Sequence, residues 1–448
     1  LVWDADASPL VIGRDGDGAV CDLGLRFVAS GLAEVDSVLF ARLRFASRGG
    51  AVADSLSFVV TGVLEPESGG LSPERRPSLL PRTTTARIET LRRPWHAPGT
   101  KQLFYYTGDL APIVNEIIAQ PDWGGAPPAL ILCLDDVTAN PAPADHVACS
   151  ALGAGSWPVT LQVARTISET LVAHEIVGRP TDHSATINFA SLIDLEAYVE
   201  YGVESMSQQT EPEIVPADTP HDIGLTGLAA DTEHVYRLCY RRAGATGEFK
   251  RGEWRRFRTQ RPPGASFRFT VQADSHIWDR WANDTPDQDA LRLYQHTIAN
   301  VAADQPDFHL SLGDYSQAAF SLTRRHAMDH YLLQRRYLDP LLHSVPFYLV
   351  LGNHEGELGY TCAEGDSVPA WAEYARRAFV PNPHPDGFYT GCPDPPLVGD
   401  GWRESYYAWE WGDALFVVLD PFWATTERPF HNDVPADGTG WNWSLGLA

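Results

Sequence analysis

Three short polar segments, each closing an apolar or alternating run, constrain this chain more than any other feature. They are Asp274-Ser275-His276, Gly313-Asp314 and Gly352-Asn353-His354-Glu355. The runs before them are Phe267 to Ala273, Phe308 to Leu312 and Pro346 to Leu351. Asp274, Asp314 and Asn353 stand 40 and 39 positions apart, each interval long enough for a crossover helix between parallel strands. Strands joined in this way end on one edge of a sheet, where open α/β proteins bind ligands. Carboxylate and amide oxygens mixed with imidazole nitrogen suit two divalent first-row cations that share a carboxylate. The set reads as a catalytic metal site. The competing account has Asp314 capping a helix, Asn353 serving a turn and the histidines at the surface; it explains each residue singly but not the ordered series.

In that order and spacing the motifs resemble those of the calcineurin-like metallophosphoesterases. The resemblance implies an αββα-type layered α/β domain that hydrolyses a phosphate mono- or diester with a metal-bound hydroxide at a binuclear centre. It implies Asp274 and His276 on the first metal, Asp314 as the bridge, and Asn353 on the second metal through its amide oxygen. His354 would stay off the metals, bonding the phosphoryl group or protonating the leaving alkoxide as general acid. The two ions are divalent or trivalent, and Fe, Mn, Zn and Co all remain open. The partner implied is a small-molecule or polymer phosphate ester; substrate-binding residues are not assigned. The rival expectation is a non-catalytic secreted surface or carbohydrate-binding protein with a relic phosphoesterase domain.

The chain departs from the purple acid phosphatases in two ways. Those enzymes carry Asp-x-Gly at the first motif and a metal-binding tyrosine three positions after the bridging aspartate. Here His276 and Gln317 occupy those positions, and Tyr315 is expected to point elsewhere. Histidine in place of tyrosinate would remove the purple charge-transfer colour. The family's later motifs, one His after another strand and a Gly-His-x-His pair, belong beyond Leu419. His384 and His431 sit in Pro-rich sequence and read as surface residues. The chain is therefore expected to be the amino-terminal part of a longer enzyme, inactive alone, with an unpaired sheet edge or an exposed apolar face.

At 448 residues two to three domains are expected. Residues 1–155 read as an accessory β-sandwich, with strand-like runs at 41–45, 56–63, 102–107 and 129–134 and one helix over 110–119 capped by Asp109. The pattern loosely resembles accessory sandwiches of secreted bacterial enzymes. Residues 139–158, rich in Pro, Gly and Ala, read as a linker. Residues 159–261 resemble a fibronectin type III module, with Ala185, Ile187 and Phe189 alternating and Tyr236 at the corner where such modules bond a tyrosine back to backbone. Arg261-Pro262-Pro263-Gly264 reads as a hinge. Residues 265–448 form the expected phosphoesterase part, with helices over 289–303, 322–342 and 370–379, then strands over 405–411 and 415–419, the last fully buried. This order resembles the purple acid phosphatases and their bacterial relatives.

A formal charge of −24 argues against a nucleic-acid-binding surface, which needs clustered cations. No run of 18 apolar residues is present, so no membrane span is expected. A secreted or periplasmic location is expected. Six cysteines make no disulfide-dense scaffold; Cys362 and Cys392 bracket a loop-rich segment that a bridge could span, but six cysteines allow 15 full pairings and the sequence leaves the connectivity open. Gly-x-Ser-x-Gly is absent, and the glycines at 13, 16 and 18 suit a hairpin turn rather than a phosphate loop. Trp278 and Trp281, just past His276, are placed to border the pocket.

Overall fold

The computed structural model describes residues 10–14, 20–21, 23–27, 32, 35–46, 58–64, 83–89, 104–121, 123, 129–134, 146–149, 159–275, 277–279, 285–286, 288–321, 323–358 and 367–420. Contacts divide the chain into two compact units, one of residues 1–170 with 279–285, the other of 171–278 with 286–448.

Among the described residues, the first unit consists of antiparallel sheets around one short α-helix. Phe40–Ala46 is central in a sheet with Thr160–Ala164 and Phe104–Tyr106, and Leu23–Arg26, Ala129–Leu134, Phe58–Val63 and Thr83–Glu89 form a second in that order. Ala41, Leu43 and Phe45 turn into the core against Ile113, Val114 and Ile117 of helix α1 (Ala111–Ile118). Arg42 faces the other way but is buried, its guanidinium 4.3 Å from the Tyr106 ring centroid and its Nε 2.8 Å from Gln162 Oε1. The cap position falls on Leu110; Asp109 instead accepts the N–H groups of Ala111 and Ala41. Two expected boundaries move. His146–Cys149 pairs with Leu10–Gly13, so part of the expected linker is a sheet strand. Thr160–Ala164 pairs with Phe40–Arg44 and thus lies in the first unit; the contact boundary is at Thr170/Leu171.

The second unit begins with two facing antiparallel sheets. One holds Leu171–Gly178, Ser184–Ser191 and His221–Thr226; the other is built on Leu195–Gly202 and Glu233–Arg242. Ala185, Ile187 and Phe189 are buried, as their alternation requires. Tyr236 does not close a local corner: its hydroxyl donates to the carbonyl of His343 at 2.7 Å, 107 residues away. Tyr201 makes the more local tie, to Thr226 O at 3.1 Å, 25 residues away. The expected hinge is pinned, because Arg261 bonds Asp307, its carbonyl accepts Gly412 N–H, and Gly264 N–H reaches Asp413.

After it come three parallel strands, Phe269–Gln272, Phe308–Ser311 and Phe347–Leu349, in chain order across the sheet. Helices α2 (Gln288–Asp304) and α3 (Arg324–Leu342) are the crossovers, and α4 (Val368–Phe379) follows the third strand. Thr323 caps α3 by accepting His326 N–H. Thr390–Gly391, Tyr407–Trp411 and Ala414–Val418 make an antiparallel sheet, and Phe308, Tyr348, Trp409, Trp411 and Phe416 stack between the two. The strand expected to be fully buried is not. Ala414–Val418 lies on the sheet's edge, with Phe416 and Val418 turned inward and Leu415, Val417 and Leu419 exposed by 65, 58 and 64 %.

The sandwich packs directly on the α/β part within this unit. Tyr389 donates to Pro180 O at 2.5 Å and Asn188 to Ala378 O at 3.0 Å. A Cβ at Gly178 would lie 2.2 Å from Pro381 Cγ, so the contact requires glycine there. His384, expected at the surface, is half-buried in the same contact, its Nδ1 2.8 Å from Arg179 and 3.4 Å from Glu404. Cys392 is a buried free thiol near Asp394; Cys362, the other half of the bridge considered from the sequence, lies outside the described residues.

Candidate metal centre

All three motifs leave the carboxyl ends of the parallel strands. Hydrogen bonds between loops join them: Asp274 N–H donates to Gly313 O at 3.1 Å, bringing the first motif to the second. Asp274 and Asp314 both adopt left-handed backbone, at φ 54° and 48°. Non-glycine residues pay for that conformation, and such outliers cluster where a site dictates geometry.

The second and third motifs are fastened by Glu355, a residue to which the sequence assigned no role. Its fully buried carboxylate accepts four backbone N–H groups: Gly352 at 2.6 Å, Asp314 at 2.9 Å, Tyr315 at 2.7 Å and Ser316 at 2.9 Å. Burial pushes its carboxyl up to about 7, with the bond from Ser316 and the other amides pulling the other way. A Cβ at Gly352 would sit 2.3 Å from Asp314 Oδ1, so only glycine lets the loops come this close. Upstream, Asn382 grips the end of the third strand from the side, accepting Leu349 N–H at 3.0 Å and donating to Leu349 O at 2.9 Å. Glu355 was visible as part of its motif; Asn382 carries no local signal.

Among the predicted site residues, Asp314 and His354 are brought together. Asp314 Oδ1 accepts the His354 N–H at 3.0 Å, and Oδ2 lies 3.9 Å from His354 Nε2. The His354 ring is buried and meets the Phe320 ring edge-on at 5.4 Å. Asn353 opens the 3-10 turn Asn353–Glu355 and is half-buried; Asp274 is exposed. His276 lies outside the described residues, as do Trp281, His431 and the side chain of Trp278. Tyr315 points away as expected, its ring buried against Tyr331 and Phe347. Among the described residues no three His, Cys, Asp or Glu side chains group closely enough to hold a metal. The donor set still fits one: two strand-end carboxylates on strained backbone and an adjoining amide are oxygen donors of the kind first-row cations take.

The family model for calcineurin-like phosphoesterases matches residues 267–417. Among solved structures, PhoD is similar at 17 % identity and a TM-score of 0.40, over 60 % of this chain and 55 % of its own. A purple acid phosphatase from yellow lupin (Lupinus luteus) seeds is similar at 13 % identity and a TM-score of 0.41, over 84 % of this chain and 63 % of its own. The chain thus spans 55 % and 63 % of the lengths of these two proteins. The fn3 domain of human collagen alpha-1(XX) is similar at 15 % identity and a TM-score of 0.16, over 26 % of this chain and 94 % of its own. Among curated proteins none matches. With the motifs on the ends of three parallel strands and the family match spanning all of them, residues 267–417 form a calcineurin-like phosphoesterase domain.

Proposed function

We propose that this domain hydrolyses a phosphate mono- or diester at a binuclear metal centre. The observation that carries the reading is the Glu355 clamp, which brings the second and third motifs together and sets His354 beside Asp314. A carboxylate buried to hold four amides stabilises the fold little for its desolvation cost, so its worth lies in fixing the loops. Asp274, His276, Asp314 and Asn353 would hold the metals, Asp314 as the bridge. Metals bound there supply charge neutralisation of the phosphate oxygens and a water of lowered pKa.

The chain's own residues do the rest. Asp314 is held by its backbone N–H on Glu355 and by the His354 N–H on its Oδ1. His354 carries a proton on Nε2 and delivers it to the leaving oxygen; the wall formed by Phe320 limits water on that side of the ring. The test is hydrolysis of p-nitrophenyl phosphate and bis-p-nitrophenyl phosphate by the full-length protein with Mn²⁺, Zn²⁺, Fe or Co²⁺. Metal-dependent turnover of at least one ester, abolished by Asp314→Ala, is expected. No turnover with any metal would favour a relic domain.

A further inference from the structure

The loop carrying Asp274 is fastened by a side chain from outside the three motifs. Ser275 donates its hydroxyl hydrogen to Tyr315 O at 3.2 Å, tying the first motif to the second. Its Oγ accepts the Nε2–H of Gln334, on α3, at 2.9 Å. Gln334 is 1 % exposed. An amide buried that deeply costs stability unless its bonds serve it, so an apolar residue would suit the helix better if only packing were at stake.

The next residue on α3 faces the sandwich. Arg335 is fully buried, and its Nη1 donates to Asn188 Oδ1 at 2.7 Å and to Phe379 O at 2.6 Å. Its Nη2 donates to His174 O at 2.6 Å, and its Nε to Asp339 Oδ1 at 3.3 Å. Asp339 Oδ2 in turn accepts His174 N–H at 3.2 Å. A planar guanidinium bonded on several sides to the strands Leu171–Gly178 and Ser184–Ser191 fixes the rotation of α3 about its axis. Because Gln334 is its neighbour on a rigid helix, the same contacts fix where the Gln334 amide points.

We infer that Gln334 is a positioning residue for the loop that carries Asp274 and Ser275 and that the fibronectin-like sandwich sets it through Arg335. The sandwich is then part of the catalytic apparatus rather than a separate appendage. This rests on the phosphohydrolase reading only for what the loop does once it is placed.

The experiment is amide hydrogen exchange with Mn²⁺ titration, on the full-length protein and on Gln334→Met, Ser275→Ala, their double variant and Asn188→Ala. Gln334→Met keeps the length and burial of the side chain and removes only its amide. Amides across residues 273–277 should exchange about tenfold faster in Gln334→Met and about threefold faster in Asn188→Ala. Amides of 314–316 and 352, held by Glu355, should keep wild-type protection. Mn²⁺ should bind Gln334→Met about tenfold more weakly. Since Gln334 acts through Ser275, the double variant should match Ser275→Ala alone. Unchanged exchange at 273–277 in Gln334→Met or in Asn188→Ala, or full additivity in the double variant, would overturn the inference. If the wild-type protein binds no Mn²⁺ and turns over no ester, the phosphohydrolase reading fails while the exchange results still decide the positioning.

Discussion

His354 and His276 are both histidines of strand-end motifs, but they are assigned different work and should fail differently. His354 is tied through its backbone to Asp314 Oδ1, with its ring Nε2 3.9 Å from Asp314 Oδ2, and the proposed function makes it the proton donor. His354→Ala should therefore keep the metals and lower kcat by ~10²–10⁴-fold on alkyl phosphates, as expected for a lost general acid. The loss should shrink with nitrophenyl esters, whose leaving oxygen needs little protonation; equal losses across leaving groups would contradict the role. His276→Ala should instead weaken metal binding. Glu355→Gln presents a donor where two backbone N–H groups point, whichever way the amide turns. It should cost about 2–4 kcal/mol, read from urea unfolding, because buried donors are left unmet. Glu355 was legible only as a letter of its motif: a single chain reveals that an acid is there, not that four amides from two loops converge on it.

The parallel strands and their crossover helices were readable because apolar or alternating strands and amphipathic helices write different periods. The helices appear within two residues of their expected bounds, as Gln288–Asp304, Arg324–Leu342 and Val368–Phe379. Ala414–Val418 was misread for a physical reason: an apolar run looks alike in a covered strand and in an edge strand with one bare face. The central strand carries its own pH dependence. His309 is buried there beside Thr270, and burial lowers its ring to about 4. An unfolded histidine titrates near ~6.5, so between ~6.5 and ~4 the unfolded chain holds a proton that the folded chain refuses. Stability should fall as pH drops through that window, by roughly 3 kcal/mol in full. His309→Gln should flatten this part of the urea midpoint's decline between about pH 7 and about pH 4.5. An unchanged decline would show that other groups govern it.

For the whole molecule, the sandwich strands were legible but their attachment was not. Arg335, Asn188 and Gly178 carry no sequence signal for the contact they make, since it joins segments more than 140 residues apart. The second unit should accordingly unfold as one transition, with no earlier melting of the sandwich; a separate sandwich transition in calorimetry would contradict that packing. Under the proposed function the three strand-end motifs make one metal centre through Asp314. Its most direct test is calorimetric titration of Mn²⁺ or Zn²⁺ into the full-length protein and its Asp314→Ala variant, with unfolding followed alongside. The wild type should bind two ions per chain saturably, and the variant, still folded, should bind none or bind weakly. Equal binding by the two proteins would contradict the proposal.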